Sequence, residues 1–269
     1  MRATTGCLTP RPPRRHRPAD LQIGRTILPH LTPPMLTPLR LPPLLAASLA
    51  LAACGTVETE PVASGAPAAF VADSFADSVA LAHGYAAWSD VRRVDFDFVV
   101  EVNDTPRVDR GWTWYPRRDS VVLSAGDGLL SFVRGGDLDS AALEADGQFI
   151  NDSYWVMMPF YLVWSEGGYS PTVTRGVTAP LSGAPATMLT VAYGAEGGYT
   201  PGDAYDLYVD ADHRLTEWVF RRGGGEEATM TTAWTGYRDV EGLLLPTDHP
   251  GEGPVRIRHR DLSAVMDAD

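Results

Sequence analysis

Catalysis and metal binding need nucleophiles, bases and ligands at particular spacings, and this chain supplies few of them. Its 269 residues include two cysteines and six histidines. His83, His213, His249 and His259 lie in the part that reads as a folded domain, far apart and without the His-Glu-x-x-His spacing of a zinc site. Asp210-Ala-Asp212 sits just before His213, where a hairpin turn accounts for the carboxylates; the remaining oxygen ligands of a calcium loop are missing. No Gly-x-Ser-x-Gly elbow presents a serine. Gly223-Gly-Gly-Glu-Glu227 lacks the lysine and the strand-to-helix setting of a phosphate loop. The pattern names no catalytic residue, metal or cofactor and points away from an enzyme. A pair of carboxylates working as acid and base stays open among so many acids, but nothing selects the pair.

Cys54 is different. Leu51-Ala-Ala-Cys54, followed by Gly55, closes the apolar run from Leu41 to Ala53. That run is shorter than the roughly 20 residues a bilayer-spanning helix needs. Its length and small-residue exit suit the apolar region of a secretory signal, and Arg40 supplies the positive charge before it. The arrangement resembles the signal of bacterial lipoproteins. The resemblance implies that the Cys54 thiol is thioether-linked to diacylglycerol, that the signal is cut before it, and that the new amino group is acylated. The alternative is an ordinary cleaved signal with an incidental cysteine. On the lipoprotein reading the protein is lipid-anchored in the bacterial cell envelope. Gly55 in place of an aspartate is compatible with delivery to the outer membrane.

Residues 1–34 contain Arg11-Pro-Pro-Arg-Arg-His-Arg-Pro18 and further prolines, a composition that cannot bury a core. A signal starting some forty residues in would be abnormally deep. The expected start is therefore Met35, with 1–34 a mis-assigned or disordered leader and 35–53 the signal peptide. Asp20 and seven arginines precede Cys54, leaving 33 acids against 15 bases, a net of −18. Such a field repels nucleic-acid phosphates and anionic surfaces. Lysine is absent. A GC-rich genome explains that, whereas the acidic excess reads as adaptation to a salty setting. With Cys7 lost and Cys54 acylated, no thiol is left for a disulfide or a thiolate metal site. A monomer is expected.

Residues 54–69 are small, polar and proline-containing, a flexible tether, and one domain is expected over 70–269. Apolar Phe75, Val79, Ala82 and Ala86 recur at helical spacing within Asp73–Trp88, with Asp73 or Ser74 as N-cap. The period then switches to two: Val94, Phe96, Phe98, Val100 and Val102 form one face of a strand. Further strands are predicted at 108–115, 118–124, 128–134, 186–193, 204–209, 214–222, 227–238, 242–247 and 255–261, with short turns that imply antiparallel pairing. Between them a helix is predicted from Asp139-Ser140 through Asp146, and another from Asn151 or Asp152 toward Met158, stopped by Pro159. The fold class is α+β, a curved antiparallel β-sheet in an open half-barrel wrapping around a few helices.

Two segments carry a resemblance: Ile150-Asn-Asp-Ser-Tyr-Trp-Val-Met-Met-Pro-Phe160 and Thr200-Pro-Gly-Asp-Ala-Tyr-Asp-Leu-Tyr-Val-Asp210. They look like signatures of a group of bacterial envelope lipoproteins related to the LolA/LolB-like superfamily, and the pattern extends to Tyr237-Arg-Asp-Val-Glu-Gly-Leu-Leu-Leu-Pro246. The resemblance covers roughly Ser74 to Leu262. It implies an open barrel whose concave face holds acyl chains under a helical lid. From the residues, Tyr154, Trp155, Met157, Met158, Phe160, Tyr161 and Trp164 crowd more large side chains together than one helix face buries, and aromatic walls with flexible methionines suit a lipid pocket. Phe96, Phe98, Trp112, Trp114 and Trp218 are placed on the facing sheet. A solid aromatic core explains the same cluster equally simply. The function expected is binding of a lipid or other hydrophobic ligand on the periplasmic side, possible partners being that ligand and the membrane. The alternatives are a carboxylate-dependent envelope hydrolase and a scaffold that binds a partner protein through its curved sheet.

Overall fold

The computed structural model describes residues 70–267 apart from Asp127, Glu166 and Gly197. The leader, the signal, Cys54 and the tether lie outside the described residues.

Ser74 opens the first helix, α1 (Phe75–Ala82), with a reciprocal capping box to Asp77. The predicted helix to Trp88 is not continuous. Gly84 takes a left-handed φ of 89°, and a Cβ there would lie 1.9 Å from the Gly242 carbonyl oxygen. Only glycine fits that approach, so the chain turns and resumes as a 3₁₀ segment, Tyr85–Asp90.

Strands β1 (Val91–Val102), β2 (Thr105–Tyr115), β3 (Ser120–Ala125) and β4 (Gly128–Val133) form an antiparallel meander. β5 (Tyr169–Thr178), β6 (Pro185–Tyr193), β7 (Ala204–Val209), β8 (Leu215–Arg221) and β9 (Met230–Ala233) form a second. A hairpin of β10 (Arg238–Val240) and β11 (Leu243–Leu245) precedes β12 (Asp248–Pro250) and β13 (Val255–Met266), and the last two join the first sheet in the order β12-β13-β1-β2-β3-β4. Bridges Thr232 to Gly251 and Thr235 to Asp248 link β9 to the β12 edge. β4 pairs only with β3 and β5 only with β6, so the curved sheet stays open.

The chain joins those two free edges through α2 (Ser140–Trp164). From Phe149 to Leu162 every residue but Asn151 is buried, which is the signature of a helix enclosed on all sides. Phe149 packs on Phe96, Trp112 and Trp114 of one sheet, and Trp155 on Trp218 of the other at 4.6 Å. Pro159 does not end this helix as expected. Its missing N–H and its clash with the preceding turn are absorbed by a kink at Met157 (φ −125°, ψ 19°), after which the helix continues to Trp164. The predicted strand 227–238 is interrupted after Ala233. β5 escaped prediction because it is an exposed edge strand with Pro171 and a bulge near Gly176, so no alternation marks it. Among the described residues no helix is long and apolar enough to cross a membrane.

Candidate functional site

A recess of about 550 Å³ opens where β2 and β4 finish and β6 gives way to the loop before β7. Each neighbouring element contributes to it. Trp88 comes from the 3₁₀ segment and Trp114 from the end of β2. Ile150, Tyr154 and Tyr161, at helical spacing, come from α2, with Trp164 at its last turn. Tyr193 ends β6, and Gly194, Glu196, Tyr199 and Thr200 form the far lip.

Its wall is aromatic and cross-linked. Trp164 lies 4.7 Å from Trp88 and 5.6 Å from Trp114 between ring centres, and Tyr154 lies 4.2 Å from Tyr161. The Tyr154 hydroxyl donates to the Tyr193 oxygen at 2.9 Å, and Ser153 Oγ and the Tyr161 hydroxyl are 2.7 Å apart. Burial pushes the phenols of Tyr154, Tyr161 and Tyr193 above their usual range, so all three stay neutral at physiological pH.

One cation, Arg134, is set into the wall just after β4. Its Nε donates to Asp146 Oδ1 at 2.8 Å, Nη1 to Asp119 Oδ1 at 3.4 Å, and Nη2 to the Tyr199 oxygen at 3.3 Å. The guanidinium also lies over the Phe149 ring at 5.3 Å. Burial disfavours its charge, but the hydrogen bonds it donates to Asp146 and Tyr199 outweigh that and hold it firmly protonated. The Tyr199 hydroxyl donates to Asp146 in a short contact. Asp119 accepts from Trp114 Nε1 at 3.2 Å.

Below the site, a buried ion pair fixes α2 to the sheet. Asp152, fully buried, accepts from Arg110 Nε and Nη2 at 2.7 Å each, from Trp112 Nε1 at 2.8 Å and from Asn151 at 3.0 Å. Burial raises its carboxyl above the ordinary aspartate range, against the opposing pull of Arg110.

Of the residues singled out from the sequence, Trp114, Tyr154, Tyr161 and Trp164 line this recess. Phe98, Trp155, Met157, Met158, Phe160 and Trp218 are buried and line none of the three recesses described here. Phe96 and Trp112 border a second recess, of about 620 Å³, on the opposite face of β1–β3, above the bare backbone of Gly111. Carboxylates converge there: Asp95, Asp97, Asp109 and Asp261. Burial raises the Asp97 carboxyl, and neighbouring Asp261 adds to the rise. Arg260 nevertheless bridges the cluster, bonding both Asp109 oxygens at 2.8 Å with Asp97 at 3.6 Å. A third recess of about 270 Å³ reaches buried His249. The rings of His249 and His259 meet edge to face, 5.3 Å between centres, and burial lowers the pKa of both. No group of three or more His, Cys, Asp or Glu able to hold a metal occurs among the described residues.

The sequence reading missed Arg134 and the lip. Tyr193-Gly-Ala-Glu-Gly-Gly-Tyr-Thr-Pro-Gly202, a glycine-rich segment framed by tyrosines between two strands, was the available signal.

No protein-family model and no curated protein matches the chain. Among solved structures it is similar to a LolA superfamily protein from Nitrosomonas europaea, at 12% identity and a TM-score of 0.41 over 72% of this chain and 94% of that one. It is also similar to a DUF1329 family protein from Desulfovibrio piger, at 10% identity and a TM-score of 0.43 over 72% and 93%. An outer membrane lipoprotein-sorting protein domain from Vibrio parahaemolyticus gives 10% identity and 0.34 over 66% and 87%.

Proposed function

We propose that the mature protein is an envelope lipoprotein, anchored through acylated Cys54 on the periplasmic side of the outer membrane, that binds a lipid or another hydrophobic molecule and catalyses no reaction. The observation that carries this reading is the 550 Å³ recess between the end of α2 and the β6–β7 lip. Its size falls in the range of small-molecule sites, and its wall combines apolar rings with a few fixed polar groups. The rest of the concave face is filled by α2, so the ligand enters at the open end and does not thread the barrel. Expected partners are the membrane, reached through the Cys54 acyl chains, and the ligand itself. The rival hydrolase reading needs converging carboxylates in the concavity; the set around Asp97 lies on the opposite face of β1–β3, and Arg260 holds it in ion pairs.

Titration of the mature chain with the neutral probe N-phenyl-1-naphthylamine tests the binding. Saturable one-to-one fluorescence enhancement supports it, and a linear, unsaturable signal refutes it. Cys54→Ala tests the anchor, since each buried CH₂ of an acyl chain contributes about 0.8 kcal/mol to attachment. That variant should leave the membrane fraction, and its persistence there would refute acylation.

A further inference from the structure

The charges around the recess say which hydrophobic molecules it takes. Asp119 and Glu196 stand on the rim, and Asp146 sits behind the wall. Arg134 is the cation of that wall, bonded to Asp146 and Asp119, so the recess has three carboxylates in or behind its lining against one guanidinium. That guanidinium is already engaged: each of its three nitrogens has a partner, two of them carboxylates. Glu196 is exposed and makes no ion pair among the described residues. The neighbouring phenols carry no charge to offset this. The site therefore holds a net charge of about −2 next to indole and phenol rings, whose faces attract cations.

We infer that the recess is selective for hydrophobic molecules with a positively charged head, of the quaternary-ammonium type, and disfavours anionic amphiphiles such as fatty-acid carboxylates. This rests on the reading that the recess binds a hydrophobic ligand. A cationic head meets the Asp119 and Glu196 carboxylates and the tryptophan faces at the mouth, while the chain lies against Tyr154 and Ile150. An anionic head meets the same carboxylates unfavourably, and Arg134 can receive it only by giving up Asp119 or Asp146. The preference is electrostatic, so it weakens as salt shortens the screening length below about 10 Å.

The test displaces N-phenyl-1-naphthylamine from the mature Cys54→Ala chain with three ligands of one chain length: dodecyltrimethylammonium, dodecanol and dodecanoate, each below its micelle concentration. At low salt the expected order is cation, alcohol, anion, with the cation at least about tenfold tighter than dodecanoate. Glu196→Gln should narrow that gap several-fold while melting at the parent temperature, and molar NaCl should narrow it too. Dodecanoate binding as tightly as the cation would overturn the inference and make Arg134 the head-group ligand, leaving the hydrophobic pocket intact. Failure of the neutral probe and all three ligands to bind would overturn the pocket reading, and this inference with it.

Discussion

Removing the Asp152 carboxylate should loosen the seat of α2 more than any single change at the site itself. Asp152→Ala strips Arg110 of both its acceptors and leaves Trp112 Nε1 without a partner. Breaking a buried pair by deleting one member costs about 3 to 5 kcal/mol, because the other charge stays buried. The Arg110 side chain is 14% exposed, so some water reaches it and the lower end of the range applies, roughly 3 kcal/mol. For a domain of this size each kcal/mol shifts the melting temperature by about 2 to 4 °C, so a fall of roughly 6 to 12 °C is expected. The double variant Arg110→Leu with Asp152→Leu removes both charges and should recover most of the loss. Calorimetry or circular-dichroism melts of the three proteins decide. A loss under about 1 kcal/mol for Asp152→Ala, or a double variant no more stable than the single, would refute the reasoning.

Three further outcomes follow from the buried groups and the net charge. Burial holds neutral His83 down at about 4 and neutral His259 at about 3, against about 6.5 unfolded. Stability present above pH 6.5 is therefore lost as the pH falls toward those values, by about 2 kcal/mol per histidine at pH 5; urea melts of His259→Phe should show a shallower loss between pH 6.5 and 4.5 than the parent. The net charge of −18 over residues 54–269 predicts a melting temperature that rises from low salt to molar NaCl, and a flat curve would remove the salt-adaptation argument. Met158 is fully buried and lines none of the recesses described, so Met158→Trp should overpack the core and cost about 1 to 3 kcal/mol; unchanged stability on denaturant titration would mean space there that the structure does not show.

Where one rule acted alone, the sequence was a good guide. The alternation Val94, Phe96, Phe98, Val100 put one face of β1 in the core, where Val94 opposes Trp114 and Phe96 opposes Trp112. Ser74 capped α1 through the local bond that its side chain offers. Tertiary contacts decided the rest. Pro159 reads as a stop, but complete burial of the segment around it makes a kink cheaper than exposing those rings. The crowding from Tyr154 to Trp164 was visible as excess, and four of its seven large side chains, Trp155, Met157, Met158 and Phe160, are core: the helix is enclosed all round, which no periodicity reveals. The recess itself joins Arg134, Tyr161 and Tyr193 from three separate elements, and only the packing of both sheets against α2 brings them together.

The central claim is that the aromatic recess holds the hydrophobic ligand, and three of its lining residues report on it directly. Trp88, Trp114 and Trp164 line it, whereas Trp112, Trp155, Trp218 and Trp234 are buried elsewhere. A brominated dodecyl alcohol, whose bromines quench indole only on contact, should reduce tryptophan fluorescence saturably in the mature protein. The quenchable part should fall sharply in the Trp88→Phe, Trp164→Phe double variant. Quenching that never saturates, or that persists undiminished in the double variant, would contradict the account.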